Sequence, residues 1–89
     1  MIGEFRDADG LRLLVVGASS GIGRAVAQNA AARGAKVAVA ARRTELLTEL
    51  AAEIGGVSFD LDVEETAAIN RVVPAAVEAL GGLDAVVFT

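Results

Sequence analysis

The amino-acid sequence predicts an α/β fold, a doubly wound parallel sheet with the element order βαβαβαβ. Short apolar runs of strand length alternate with longer segments in which apolar residues recur at helical spacing. Glycine follows most of these segments, as is typical where strands and helices end. Strands that alternate with helices are joined by right-handed crossover connections, which produce a parallel sheet covered on both faces.

The elements follow one another along the chain. The predicted strands are residues 11–16, 36–41, 57–61 and 83–88, and the predicted helices are residues 22–33, 44–54 and 65–80. Thr44 suits the N-cap of the second helix, and Gly34 suits the C-cap of the first. Pro74 lies inside the third helical pattern, where it removes a backbone donor and clashes with the preceding turn. We therefore expect a kink or a break there, or a helix that begins at Pro74.

Composition limits the chemistry that the chain can perform. Its 89 residues make at most one small domain, and a hydrophobic share of 54% excludes a disordered chain. The absence of Cys and His excludes disulfides, thiolate nucleophiles, zinc sites of the Cys/His type and imidazole bases. No motif indicates a metal site.

The charge pattern and the N-terminus suggest partners and location. A net charge of −4 with only three aromatic residues argues against nucleic-acid binding. The charge-free run at residues 13–23 is too short to span a bilayer, so no membrane contact is predicted. Residues 1–10 form a polar lead-in without the apolar region of a signal peptide, and residues 11–89 form the domain. These features predict a cytoplasmic protein, and the basic excess of residues 1–43 suits a small anionic ligand.

A glycine-rich turn connects the first strand to the first helix. Gly17 lets the chain leave the strand in a tight turn, Gly21 admits a pyrophosphate close to the backbone, and Gly23 lets the helix approach the sheet. The helix N-terminus supplies free N–H groups and partial positive charge for phosphates. Two serines in the turn either donate hydroxyl hydrogen bonds to the ligand or cap the helix. The candidate ligand-binding residues of the turn are Gly17, Ser19, Ser20, Gly21, Ile22 and Gly23.

The sequence GASSGIG after LRLLVV resembles the TGxxxGIG cofactor motif of the short-chain dehydrogenases/reductases. The segments AVAARRTELLTELAAEIG and LDVEE follow in the family's order and spacing, although Val16 stands where the family has threonine. The resemblance covers nearly the whole chain. It implies a Rossmann-type sheet in strand order 3-2-1-4, a homo-oligomer, and an NAD- or NADP-dependent oxidoreductase acting on a carbonyl or alcohol group of a small-molecule substrate.

The end of the second strand favours NADP(H) over NAD(H). Proteins that bind an unphosphorylated ribose usually place a carboxylate there, whereas this chain has Ala41, Arg42 and Arg43. Guanidinium groups suit a 2′-phosphate, which they hold by charge-assisted hydrogen bonds. The alternative is that both arginines are solvated loop residues.

A second polar segment follows the third strand. Asp62 and Val63 match the family's Asp-Val pair, which the resemblance implies binds the adenine ring. Without the family context, these residues equally suit a solvated acidic run at a helix start.

The family's catalytic residues have no match in this chain. It contains no tyrosine, so the Tyr-x-x-x-Lys pair is missing, and Phe88 and Thr89 stand where the family has asparagines. We therefore expect the 89 residues alone to be inactive, as the cofactor-binding portion of a longer reductase. Two alternatives stay open. One is a non-catalytic nucleotide-binding module. The other is a fragment that self-associates through an exposed fourth strand.

Overall fold

The chain forms an alternating series of strands and helices. The computed structural model describes residues 9–18, 21–42, 44–61 and 66–89, so most of the predicted N-terminal lead-in lies outside the described residues. The elements are β1 (Arg12–Val16), α1 (Gly21–Ala32), β2 (Lys36–Ala41), α2 (Thr44–Ile54), β3 (Val57–Asp60), α3 (Thr66–Leu80) and β4 (Ala85–Phe88). Each lies within two residues of its predicted bounds.

The four strands form one parallel sheet. Its order is β3-β2-β1-β4, which confirms the predicted topology. Val16, the last residue of β1, pairs with Ala40 of β2 and with Phe88 of β4. The carboxyl ends of these strands therefore meet at one edge of the sheet.

Alternate residues of β1 pack on opposite faces of the sheet. Leu13 and Val15 belong to one apolar cluster, which includes Ala27 of α1 and Leu47 and Leu50 of α2. A second cluster joins the other face to α3. Its buried members are Leu14, Val16, Ala38, Ala40, Leu61, Ala68, Val72, Ala76 and Leu80. Helices thus cover both faces of the sheet at β1 and β2, which explains why these two strands read as continuous apolar runs, whereas the edge strand β4 stays largely exposed.

Pro74 does not interrupt α3. The helix continues from Thr66 to Leu80 with Pro74 inside it, so the predictions of a break and of a helix that begins at Pro74 were wrong. Pro74 and Asn70 are both exposed, and water can therefore bond the Asn70 carbonyl that loses its helical donor. Val72 and Leu80 are at least nine-tenths buried. Burying each of these two side chains contributes about 1.5 to 3 kcal/mol, which offsets the cost of a helical proline, about 3 kcal/mol.

An ion pair joins the amino ends of β1 and β4. The backbone N–H and the Nε of Arg12 donate to Asp84 Oδ2 at 2.8 and 3.1 Å, and Arg12 Nη1 donates to the carbonyl oxygen of Gly81 at 2.9 Å. The N–H of Asp84 in turn donates to the carbonyl oxygen of Arg12 at 2.8 Å. Hydrogen bonds from the Arg12 side chain, and then from its backbone, hold the pKa of the Asp84 carboxyl below its ordinary value. These contacts hold β4 beside β1 at this end of the sheet.

Across the described ranges, no helix is both long and apolar enough to cross a membrane. Nor do three or more acidic, His or Cys side chains come together there as a metal site.

Candidate functional site

The site begins where the chain leaves β1. Gly17 follows Val16 directly and has a φ of +90°, a left-handed conformation that favours glycine. Its N–H donates to the carbonyl oxygen of Ala40 at 2.7 Å, and the N–H of Ala18 reaches the same oxygen at 3.4 Å. The side chain of Ala18 is fully buried. The turn after β1 is therefore anchored to the end of β2.

The same turn is held from the other side by Thr89, which follows β4. The N–H of Thr89 donates to the carbonyl oxygen of Val16 at 3.0 Å. Its hydroxyl donates to the carbonyl oxygens of Val16 and Gly17, at 3.2 and 3.0 Å. Gly17 thus lies between the carboxyl ends of β2 and β4.

Gly23 places α1 close to this turn. It is buried in the first turn of the helix. A β-carbon at this position would overlap the carbonyl oxygen of Gly17 and would lie 2.6 Å from Thr89 Oγ1. Only glycine fits here, because the neighbouring atoms include backbone that cannot rotate away.

Gly21 differs from the other two glycines of the turn. Its φ is +60°, and a β-carbon there would meet no atom of the described residues within 4 Å. Packing within the part of the chain that the structure describes therefore leaves the space beside Gly21 open. A ligand can approach the backbone closely at this point.

An open cleft of about 540 Å³ lies over the turn. Among the described residues, its lining includes Gly17, Ile22, Gly23, Phe88 and Thr89. Two large apolar side chains are solvent-exposed here, Ile22 at 76% and Phe88 at 61%. The volume lies within the range of small-molecule sites. The first turn of α1 carries no acidic side chain, so the partial positive charge of the helix N-terminus is available to an anion.

Arg42 places a positive charge beside this edge. It follows Ala41, the buried last residue of β2, and its own side chain is exposed. The carbonyl oxygen that anchors Gly17 belongs to Ala40, only two residues earlier. The described end of β2 therefore carries a cation and no carboxylate.

Half of the candidate binding residues can be placed in the structure. Gly17, Gly21, Ile22 and Gly23 come together at the turn, and Arg42 lies at the neighbouring strand end. The remaining candidates lie outside the described residues, namely Ser19, Ser20, Arg43, Asp62 and Val63. Leu61, which precedes Asp62, is buried, and its N–H donates to the carbonyl oxygen of Ala41 at 3.0 Å.

Sequence reasoning did not assign Phe88 and Thr89 to the site. It noted them only as departures from a family pattern, whereas the structure places both in the wall of the cleft. The pairing of β4 with β1 is parallel, so residues at the end of β4 must lie beside the glycine turn. The predicted strand order therefore contained the signal that would have found them.

Comparisons with known proteins agree with this architecture. The family described as short chain dehydrogenase matches residues 12–89. An uncharacterized oxidoreductase from Mycobacterium tuberculosis is 36% identical over 83 residues, which are 85% of this chain and 33% of that protein. The chain thus spans about a third of the length of this curated relative.

Two solved structures are similar to the chain in fold and carry a dinucleotide. A short chain dehydrogenase from Burkholderia cenocepacia in complex with NADP has a TM-score of 0.85 and 34% identity, covering 89% of this chain and 35% of that chain. A 3-ketoacyl-(acyl-carrier-protein) reductase from Brucella melitensis complexed with NADH has a TM-score of 0.85 and 29% identity, covering 90% and 34%.

The sheet order, the glycine turn and the match over residues 12–89 lead to the same assignment. The chain belongs to the short-chain dehydrogenase/reductase family of oxidoreductases.

Proposed function

We propose that residues 11–89 bind NADP(H) and form the dinucleotide-binding part of an oxidoreductase that acts on a carbonyl or alcohol group of a small molecule. The cleft over the glycine turn supports this proposal, because Gly17 and the first turn of α1 line it, so the N-terminus of that helix lies beside it. When bound, NADP(H) supplies the hydride donor or acceptor of such a reaction.

The residues of the chain fit the parts of this cofactor. The pyrophosphate would lie against the backbone of the glycine turn and the first N–H groups of α1, with Ser19 and Ser20 as further donors. Asp62 and Val63 would hold the adenine ring. Ile22 and Phe88 would supply apolar surface that excludes water from the cleft.

The choice of NADP(H) over NAD(H) depends on the end of β2. Relatives of known structure include one with NADP and one with NADH, so family membership does not select between them. Ala41 is buried where an NAD-binding protein usually has a carboxylate, and the exposed Arg42 follows it. Arg42, together with Arg43, would bond the 2′-phosphate through charge-assisted hydrogen bonds.

Turnover needs a proton donor or acceptor beside the substrate. The family uses a tyrosine for this step, and the chain has none. We therefore expect these 89 residues to bind the cofactor without catalysing hydride transfer.

A homo-oligomeric assembly and a cytoplasmic location stay predictions.

Fluorescence titration with NADPH and NADH tests the cofactor assignment. We expect the wild-type chain to prefer NADPH, and the double variant Ala41→Asp with Arg42→Ala to lose about tenfold or more of that preference, because a charge-assisted hydrogen bond contributes about 1.5 to 3 kcal/mol. Lys36→Ala is the matched control, since it removes an exposed cation from the other end of the same strand. An unchanged preference in the double variant contradicts the role of Arg42, and no affinity for either dinucleotide contradicts the proposed function.

A further inference from the structure

Thr89 stands where the family has an asparagine, and its hydroxyl forms hydrogen bonds to the glycine turn in this chain. The hydroxyl donates to the carbonyl oxygen of Gly17 at 3.0 Å and to that of Val16 at 3.2 Å. The N–H of Thr89 also donates to the carbonyl oxygen of Val16, at 3.0 Å. A single residue at the end of β4 is thus bonded to the last residue of β1 and to the first residue of the turn.

These bonds hold Gly17 opposite its other anchor. The N–H of Gly17 donates to Ala40 at the end of β2 at 2.7 Å, while its carbonyl oxygen accepts from Thr89. Gly17 has a φ of +90°, and a glycine in the unfolded chain samples many other conformations. The two anchors together select the conformation that directs the turn into α1.

The Thr89 hydroxyl also packs against the first turn of α1. Thr89 Oγ1 lies 2.6 Å from the position that a Gly23 β-carbon would take, and the carbonyl oxygen of Gly17 overlaps the same position. The hydroxyl, the Gly17 carbonyl and the backbone of Gly23 therefore share one tightly filled space. A shift of the Gly17 carbonyl would be transmitted to the helix N-terminus, whose first N–H groups have no acceptor within the helix.

We propose that Thr89 is a positioning residue for dinucleotide binding, because its hydroxyl holds the Gly17 turn and the N-terminus of α1 in the binding geometry. This inference rests on the proposed function. It assigns to Thr89 an effect on pyrophosphate affinity and no effect on the choice between NADPH and NADH. That choice depends on Arg42, which lies on the β2 side of the turn.

The test compares Thr89→Val, which keeps the shape and loses the hydroxyl, with Thr89→Ser, which keeps the hydroxyl. NADPH and NADH affinities are measured by titration at a temperature where circular dichroism shows each variant to be folded. We expect Thr89→Val to weaken both affinities about three- to tenfold, the range for loss of one hydrogen bond, with their ratio unchanged. Thr89→Ser should stay within about twofold of wild type. If the hydroxyl only stabilises the fold, Thr89→Val will have a lower Tm, and its affinities for NADPH and NADH will be unchanged at temperatures where it is folded. That result would overturn the proposal.

Amide hydrogen exchange of the ligand-free chain separates this inference from the proposed function. The Gly17 N–H is bonded to Ala40, so its exchange rate reports directly on opening of the turn. We expect exchange at Gly17 to accelerate about three- to tenfold in Thr89→Val and to match wild type in Thr89→Ser. A wild-type chain with no affinity for NADPH refutes the proposed function, and accelerated exchange in Thr89→Val would still support the role of Thr89 in the turn. Equal exchange rates of the Gly17 N–H in wild type, Thr89→Val and Thr89→Ser would overturn the role of Thr89 in the turn.

Discussion

Replacing Gly23 by alanine tests the close contact between α1 and the glycine turn. The new β-carbon would overlap the Gly17 carbonyl oxygen and would lie 2.6 Å from Thr89 Oγ1 and 3.0 Å from the Cα of Ala18. Overpacking against backbone costs about 3 kcal/mol, and the higher helix propensity of alanine returns about 1 kcal/mol. We therefore expect the free energy of unfolding to fall by about 2 kcal/mol, which lowers Tm by about 8 to 16 °C in a domain of this size. Urea and thermal unfolding followed by circular dichroism measure both quantities.

The same substitution should weaken NADPH binding, because α1 must move away from the turn. Loss of one hydrogen bond to a phosphate corresponds to about tenfold or more in affinity. Gly56→Ala is the matched control, since its β-carbon would overlap the carbonyl oxygen of Val37, near the amino end of β2. We expect this variant to lose a comparable amount of stability and to keep its affinity for NADPH when folded. Unfolding of Gly23→Ala at the same urea concentration and temperature as wild type would contradict the close contact at Gly23. Equal loss of NADPH affinity in both variants would contradict its specific effect on binding.

Three further substitutions test the fold. Asp84→Asn removes the carboxylate that Arg12 bonds. Because the folded pKa of Asp84 is lowered, its contribution is complete above the ordinary value of 3.8 and is lost as the pH falls through the lower folded pKa. We expect unfolding titrations of Asp84→Asn to show a weaker loss of stability below pH 3.8 than wild type, and identical acid profiles would contradict the role of the pair. Leu14→Ala, at a fully buried position, should cost about 3 to 4 kcal/mol in urea unfolding. Ile22→Ala, at a side chain that is 76% exposed, should cost less than about 0.5 kcal/mol, and equal losses in the two variants would argue against the assigned core.

Local patterns predicted the elements closely. The second helix runs from Thr44 to Ile54 as its apolar spacing indicates, and Gly55, with a φ of +69°, ends it. The third helix shows the limit of such reasoning. The cost of Pro74 is local, whereas the burial of Val72 and Leu80 against the sheet, which keeps the helix whole, is a tertiary contribution.

Part of the candidate site was also predictable from local sequence patterns. Its glycine turn is a continuous segment with a recognisable spacing, so Gly17, Gly21 and Gly23 could be chosen from the sequence. The structure then showed that these glycines have different surroundings. A β-carbon at Gly21 would meet none of the described atoms within 4 Å, whereas at Gly23 it would meet the backbone of the turn.

The order of strands and helices, the glycine turn and the basic residue after β2 could be predicted from the sequence, because each depends on residues that are neighbours along the chain. The hydrogen bond from Thr89 to Gly17 and the ion pair between Arg12 and Asp84 became visible only in the folded structure. In both pairs the partners are 72 residues apart along the chain. Such contacts depend on the register of β4 against β1, which arises only when the sheet assembles.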